Sequence, residues 1–252
     1  MGSNNDISLK ALAKINLGLD VVRRREDGYH EVRMIMQTIH LYDRLDIKRT
    51  KEPGIQIQTN LSFLPVNENN LIYKAAKLLM DEFSITDGVS VKLDKRIPVA
   101  AGMAGGSTDA AAMLIGVNRL FSLGLTKREL MERGVQIGAD VPYCIMRGTA
   151  LAEGIGEALS PLPPMVKCPV LIAKPSISVS TKFVYQNLKL DDTTIHPDID
   201  RLIDDIKAKN LHDIAAHMGN VLETVTIPNY PVIESCACCS AEERLPHASQ
   251  KQ

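Results

Sequence analysis

Pro98-Val99-Ala100-Ala101-Gly102-Met103-Ala104-Gly105-Gly106-Ser107-Thr108-Asp109-Ala110 runs a glycine-rich loop straight into a segment rich in Ala, Met and Leu. That segment reads as a helix from Ser107 to about Phe121. Three glycines let the backbone turn tightly and present its N–H groups at close range. A helix start adds unpaired N–H groups and a partial positive charge, so loop and helix together predict a cradle for an anion. A polyphosphate touching several N–H groups at once is the natural guest. Taken alone, the same residues also describe an ordinary strand-to-helix connection with Ser107 as N-cap. The stretch is neither a Walker A loop nor a Gly-x-Gly-x-x-Gly fingerprint, so other residues must decide.

The 252 residues allow one large or two small domains with a sizeable core. With 29 basic and 30 acidic side chains the net charge is −1, so no global field draws the chain to nucleic acid or a membrane. Trp is absent and aromatics are 4% of the chain, which removes base-stacking platforms and makes RNA a poor partner. No apolar stretch reaches the ~20 residues needed to cross a bilayer, and Met1-Gly-Ser-Asn-Asn is short and polar. The expectation is a cytoplasmic protein acting on small molecules. Cys144 and Cys168 lie in apolar surroundings and read as buried thiols. Cys236, Cys238 and Cys239 cluster near the C-terminus with only His247 as a weak further ligand, so no metal site is expected.

Residues 7–60 read as strands. Ile7 to Ala13 and Ile15 to Val22 alternate apolar with small or polar residues, and Asp27-Gly28 marks a turn before an extended run from Val32 to Lys48. Gly54 to Thr59 is a short strand, Leu71 to about Phe83 a helix opened by Asn70, and Val89 to Ile97 a strand that delivers the chain to the loop. Thr126 and Glu129 predict a capping box for a helix reaching about Ile137. Tyr143 to Met146, Thr149 to Glu153 and Pro169 to Lys174 are expected strands. Helices are expected over Ser180–Leu188, Pro197–Lys209 with Pro197 in the first turn, and Asn210–Val225. The class is α+β, with a boundary expected at 160–168.

Three further segments stand beside the loop. Lys14 and Asn16 lie two apart in a predicted strand and so share a face. Asp27-Gly28-Tyr29-His30 is a hairpin turn, and Gly138-Ala139-Asp140-Val141-Pro142 ends a helix. Singly, each also reads as a solvated pair, a surface turn and a helix stop. In this order and at this spacing, together with Gly102-x-x-Gly105-Gly106-Ser107-Thr108-Asp109, they resemble the GHMP kinase superfamily. Within it they are similar to the branch whose acceptor is a CDP-linked methylerythritol. The likeness runs from about Leu9 to Ile233. The Lys14-Ile15-Asn16 and Asp27 to His30 segments separate this branch from the galactokinase, homoserine kinase and mevalonate kinase relatives.

The resemblance implies a two-domain α+β fold: a ribosomal-protein-like ATP-binding domain over 1–160 and a ferredoxin-like C-terminal domain, here partial, over 169–234. It implies ATP as co-substrate, with Mg2+, and transfer to the 2-hydroxyl of the methylerythritol unit in the non-mevalonate isoprenoid pathway, by a monomer or homodimer. Asp140 then matches the general base and Lys14 its charged partner. Residues Pro98 to Thr108 match the ATP phosphate site, and Asn70 and Lys95 the adenine and ribose pocket. Asn16 and His30 match positions that bond cytosine, Tyr29 one that packs on the CDP end, and Thr181 and Tyr185 second-domain residues near the acceptor. A lysine beside a carboxylate favours both charged forms, and an amide with an imidazole can read a cytosine edge. Another GHMP kinase, or a nucleotide-binding remnant without turnover, stays open at this point.

The family would continue past Glu234 to a second glycine-rich segment of Gly-Ser-Gly-Pro-Thr type. In its place stands Ser235-Cys-Ala-Cys-Cys-Ser-Ala-Glu-Glu-Arg to Gln252, with almost no apolar periodicity. Residues 235–252 are therefore expected to be a disordered tail foreign to the family, and activity to be impaired.

Overall fold

The computed structural model describes residues 5–235. The expectations for the cysteine cluster and for the rest of the tail lie outside them. A long hairpin forms the spine: β1 (Asp6–Arg24) and β2 (His30–Thr50) pair antiparallel along almost their whole length. The two expected N-terminal strands are thus one, bent by register shifts between Leu12 and Lys14, Asn16 and Gly18, and Val21 and Arg23. Such bulges re-aim side chains without ending a strand. The turn closes through the Arg25 N–H on the Tyr29 carbonyl (2.8 Å), with Gly28 at φ 86° and the Asp27 carboxylate accepting from the Tyr29 N–H.

Around the hairpin stand β3 (Ile55–Thr59), β4 (Gly88–Asp94), β5 (Thr149–Glu153), β6 (Ala158–Pro161) and β7 (Gly219–Asn220). The order is β3-β4-β2-β1-β7, with β5 on β2 and β6 on β5. The β3–β4 and β1–β7 pairs are parallel, the others antiparallel. Helices α1 (Leu71–Glu82) and α2 (Gly105–Leu120) cover one face, burying Ile72, Leu79, Met113, Leu114 and Val117 against Leu45, Ile47, Val89 and Val91. Both bonds of the expected capping box are present at the start of α3 (Lys127–Gly134). The class is α+β, as expected.

Tyr143 to Met146 is not a strand. The segment forms α4 (Val141–Met146), in which Pro142 sits in the first turn and sets a helical φ. A short continuous apolar run fits either element, and here the proline and the packing against α2 decide. Pro169 to Lys174 is not a strand either: no described strand lies beside it, so its N–H groups find no ladder, and Leu171 is 73% exposed. Cys168, on its flank, is only half-buried, whereas Cys144 is buried.

Two of the later helices dock on the opposite sheet face. α5 (Thr181–Asn187) lies within the expected Ser180–Leu188, with Ser180 as its cap, and α6 (Ile199–Ala208) is capped by Asp198, whose carboxylate accepts from the Arg201 N–H at 2.9 Å. Pro197 therefore precedes the cap. The expected helix over Asn210–Val225 is broken into α7 (Leu211–His217), strand β7 and α8 (Glu223–Asn229). Gly219 leaves the helical path because it lies parallel to Gly18 of β1.

Leu17 and Ile35, which face away from α1 and α2, pack with Ile199, Leu202, Ile206 and Ile214. A Cβ on Gly18 would stand 2.9 Å from both Ile199 Cδ1 and Leu202 Cδ2, so α6 lies directly on the bare backbone. Leu202→Ala is expected to lower the unfolding free energy by about 2–5 kcal/mol. A denaturant titration showing a loss under about 1 kcal/mol would mean that α6 is not part of the cooperative core.

Candidate active site

The glycine loop leaves β4 and reaches α2 through three residues in the left-handed region: Ala100 (φ 53°), Gly102 (φ 70°) and Ala104 (φ 54°). Two are alanines, and non-glycine residues held there cost of order 1–3 kcal/mol each, a strain that clusters at functional sites. Ser107 is not the N-cap. The left-handed turn at Ala104 swings the chain early, so α2 starts at Gly105 and no side chain caps it. Its first N–H groups are left without side-chain partners and face outward beneath an exposed loop. Successive backbone N–H groups around such turns make anion-binding concavities. Met103 anchors the loop, buried with Ala13, Ile39 and Ile97, and its carbonyl accepts from the Lys14 N–H at 3.2 Å.

That bond ties the loop to the stretch of β1 carrying Lys14 and Asn16. Both lie between the first two bulges, and their shared face is evident from Lys14 Nζ donating to Asn16 Oδ1 at 3.1 Å. Lys14 is 6% exposed. Among the described residues no ion pair joins Lys14 to Asp140, so the expected direct partnership is replaced by the bond to Asn16. Both nevertheless bear on one atom: burial pushes the Cys144 thiol up to about 12, with Asp140 adding to the rise and Lys14 opposing it.

Asp140 heads α4 at the end of the 138–142 turn, half-buried, and its carboxylate spends no hydrogen bond on the helix. The turn reaches the phosphate cradle: a Cβ on Gly138 would stand 4.0 Å from Ser107 Oγ. A second wall approaches from α5. The Tyr185 ring lies 5.1 Å from the His30 ring at 39°. Burial raises the Tyr185 hydroxyl's pKa, and the Asp140 carboxylate adds to the rise. Burial, then the Arg24 charge, lowers that of His30, so His30 is neutral near pH 7 and its two ring nitrogens offer one donor and one acceptor. Tyr29, 61% exposed, stands at the hairpin tip beside His30, and Thr181 is exposed at the start of α5.

Two expected ATP-pocket residues are otherwise engaged. Asn70 caps α1: its Oδ1 accepts from the Ile72 N–H (2.9 Å) and its Nδ2 donates to the Pro65 carbonyl (2.7 Å). Lys95 points inward, its ammonium between the carboxylates of Asp43 and Asp109 (2.8 Å to the latter). Asp43 and Asp109 escaped the sequence reading. A carboxylate in a β-strand gives no signal of burial, and Asp109 sat inside the quoted motif without an assigned task. Two depressions of about 630 and 530 Å3 open around Arg44 and Lys92 and around Lys10 and Arg119, and neither borders the loop.

Nor do the described residues gather three His, Cys, Asp or Glu side chains around a metal. The Ser107 hydroxyl in the first turn of α2 and the Asp140 carboxylate at the head of α4 are hard oxygen donors, of the kind that suits a cation held mainly by phosphate oxygens and water.

The pattern of the GHMP kinases N terminal domain matches residues 70–148, which contain the loop, α2 and the 138–142 turn. A 4-diphosphocytidyl-2-C-methyl-D-erythritol kinase of Lachnospira eligens is 62% identical over 229 residues, 91% of this chain and 80% of that one. One of Lachnoclostridium phytofermentans is 60% identical, covering 90% and 78%. Among solved structures, a 4-(cytidine 5'-diphospho)-2C-methyl-D-erythritol kinase superposes with TM-score 0.74 at 30% identity, covering 91% of this chain and 80% of that one. A homoserine kinase from Cytophaga hutchinsonii, at TM-score 0.69 and 16% identity, shares the fold.

Proposed function

The chain belongs to the 4-diphosphocytidyl-2-C-methyl-D-erythritol kinase family of GHMP kinases, and from that membership we propose how its own residues carry the transfer. The reaction is ATP-dependent phosphorylation of the 2-hydroxyl of 4-diphosphocytidyl-2-C-methyl-D-erythritol, a step of non-mevalonate isoprenoid synthesis. Its proposed place is the cytoplasm, where ATP and a CDP-linked alcohol are at hand, with the chain acting as a monomer or homodimer.

The observation that carries the mechanism is the approach of the Gly138–Asp140 turn to Ser107. It supports a role for Asp140, whose carboxylate caps no helix, beside the N-terminus proposed to grip phosphate. Backbone N–H groups from Gly102 to Ser107 hold the triphosphate. Asp140 accepts the proton of the attacking hydroxyl, and Lys14, fixed by Asn16 and by the Met103 carbonyl, polarises that hydroxyl from the other side. Phosphoryl transfer needs little covalent help from the protein; alignment and charge stabilisation do most of it. Mg2+ held with ATP near Ser107 and Asp140 would offset the phosphate charge.

Asn16, His30, Tyr29 and Tyr185 bind the cytidine end, with Thr181 at its margin. A ring wall of His30 and Tyr185 beside the Asn16 amide offers stacking together with donors and acceptors. His30→Ala is expected to raise KM for the CDP-alcohol about tenfold or more, the scale of one lost bond to a buried partner, with KM for ATP little changed. Equal effects on both substrates would discredit the cytosine-reading role. The reaction itself is tested by incubating the full chain with ATP and the CDP-alcohol and identifying the product. ADP with a 2-phosphate is expected. Binding of both substrates without transfer would overturn the kinase reading.

A further inference from the structure

We propose that Asp43, Lys95 and Asp109 form a positioning triad that sets the phosphate-binding loop from beneath. The inference rests on the ATP-binding reading of the loop, and it gives Lys95 a task other than contact with the nucleotide.

The triad encloses the root of the loop on three sides. Asp43, from β2 and fully buried, accepts from the Lys95 ammonium and from the N–H groups of Arg96 (2.5 Å) and Ile97 (2.8 Å), the residues that lead into Pro98. Asp109 stands one turn beyond Gly105 on α2, hence on the same helix face, and takes the ammonium on Oδ2. Lys95 Nζ itself lies 2.7 Å from where a Cβ on Gly105 would be, directly under the helix start. One ammonium therefore links the entry of the loop to its exit. Lys95 and Asp109 are 8% and 2% exposed, so water does little to screen the arrangement.

Asp109 Oδ1 has no hydrogen-bond partner among the described residues, so the bond from Lys95 to Oδ2 is what ties α2 to the pair. Removing the ammonium would leave the buried Asp43 and Asp109 carboxylates without the cation between them, and the loop would lose the link between its entry and its exit.

The test measures ATP and CDP-alcohol affinity by calorimetry on the full chain, for wild type and Lys95→Met. Lys95→Met is expected to weaken ATP about tenfold or more while leaving the CDP-alcohol unchanged. Unchanged ATP affinity, or equal weakening of both ligands, overturns the proposal. Should that variant not fold, Asp109→Ala decides by the same comparison, with selective weakening of ATP expected and equal or no weakening overturning it. Affinity does not depend on turnover, so the two readings fail separately: no product with a selective loss of ATP binding in the variant sinks the kinase mechanism alone, and normal product with no selective loss sinks the triad alone.

Discussion

Asp140→Asn is expected to lower kcat about 10²–10⁴-fold, the contribution of a placed general base, with both KM values within a few-fold of wild type. The amide keeps the size and shape of the carboxylate but cannot take up the hydroxyl proton. Structure argues that this loss will be chemical. Asp140 is only half-buried, and although it stands at the N-cap of α4 its side chain makes no capping bond, so the exchange removes no fold contact. The melting temperature should move by a degree or two at most, well inside the shift that about 1 kcal/mol produces. Loss of turnover without loss of binding is the pattern of an interaction made only in the transition state. Steady-state kinetics of both substrates, read beside a thermal melt, check it. Unchanged turnover would discard the base assignment.

What could be read from the chain before its structure divides along a physical line. Local chemistry was legible: the capping box at Thr126 and Glu129, the Asn70 helix start, the Asp27-Gly28 turn and the shared face of Lys14 and Asn16 depend on neighbours in sequence. The elements that went astray depend on partners far away. Pro169 to Lys174 has the residues of a strand, but a strand exists only where another lies beside it. Asn210 to Val225 reads as one helix because nothing local reveals that Gly219 will lie against Gly18. The apolar run from Tyr143 to Met146 carries no period, and Pro142 proved the stronger signal.

The site divides the same way. The loop and the 138–142 turn were visible as motifs, yet the start of α2 was placed two residues late, because the left-handed backbone at Ala104 leaves no trace in an alanine. Lys95 was assigned from resemblance to the nucleotide pocket, whereas its ammonium is enclosed by Asp43 and Asp109, 52 and 14 residues away in sequence. No pattern in the chain pairs a strand carboxylate with a lysine 52 positions later. Only the packed interior does.

Gly105→Ala separates these two sources of information most sharply, because they predict opposite signs. Gly105 opens α2 and does not need a left-handed backbone. By helix propensity alone, alanine there would gain up to about 1 kcal/mol. The fold forbids it: the new methyl would stand 2.7 Å from Lys95 Nζ and 3.3 Å from Ile97 Cγ2. A lysine tip on a surface would swing aside, but this one is held by two buried carboxylates and has no second place to go. Displacing it breaks a buried ion pair, which costs about 3–5 kcal/mol, several times the propensity gain. The variant is therefore expected to lose a few kcal/mol of stability and about tenfold or more in ATP affinity, since the loop's exit moves with α2. Gly106→Ala, one residue on, is the control. Its methyl would meet only Leu71 Cδ1 at 3.4 Å, an ordinary contact, so stability should stay near wild type. A Gly105→Ala chain as stable as its neighbour would show that the ammonium is free to move, and that no clamp holds the phosphate loop from below.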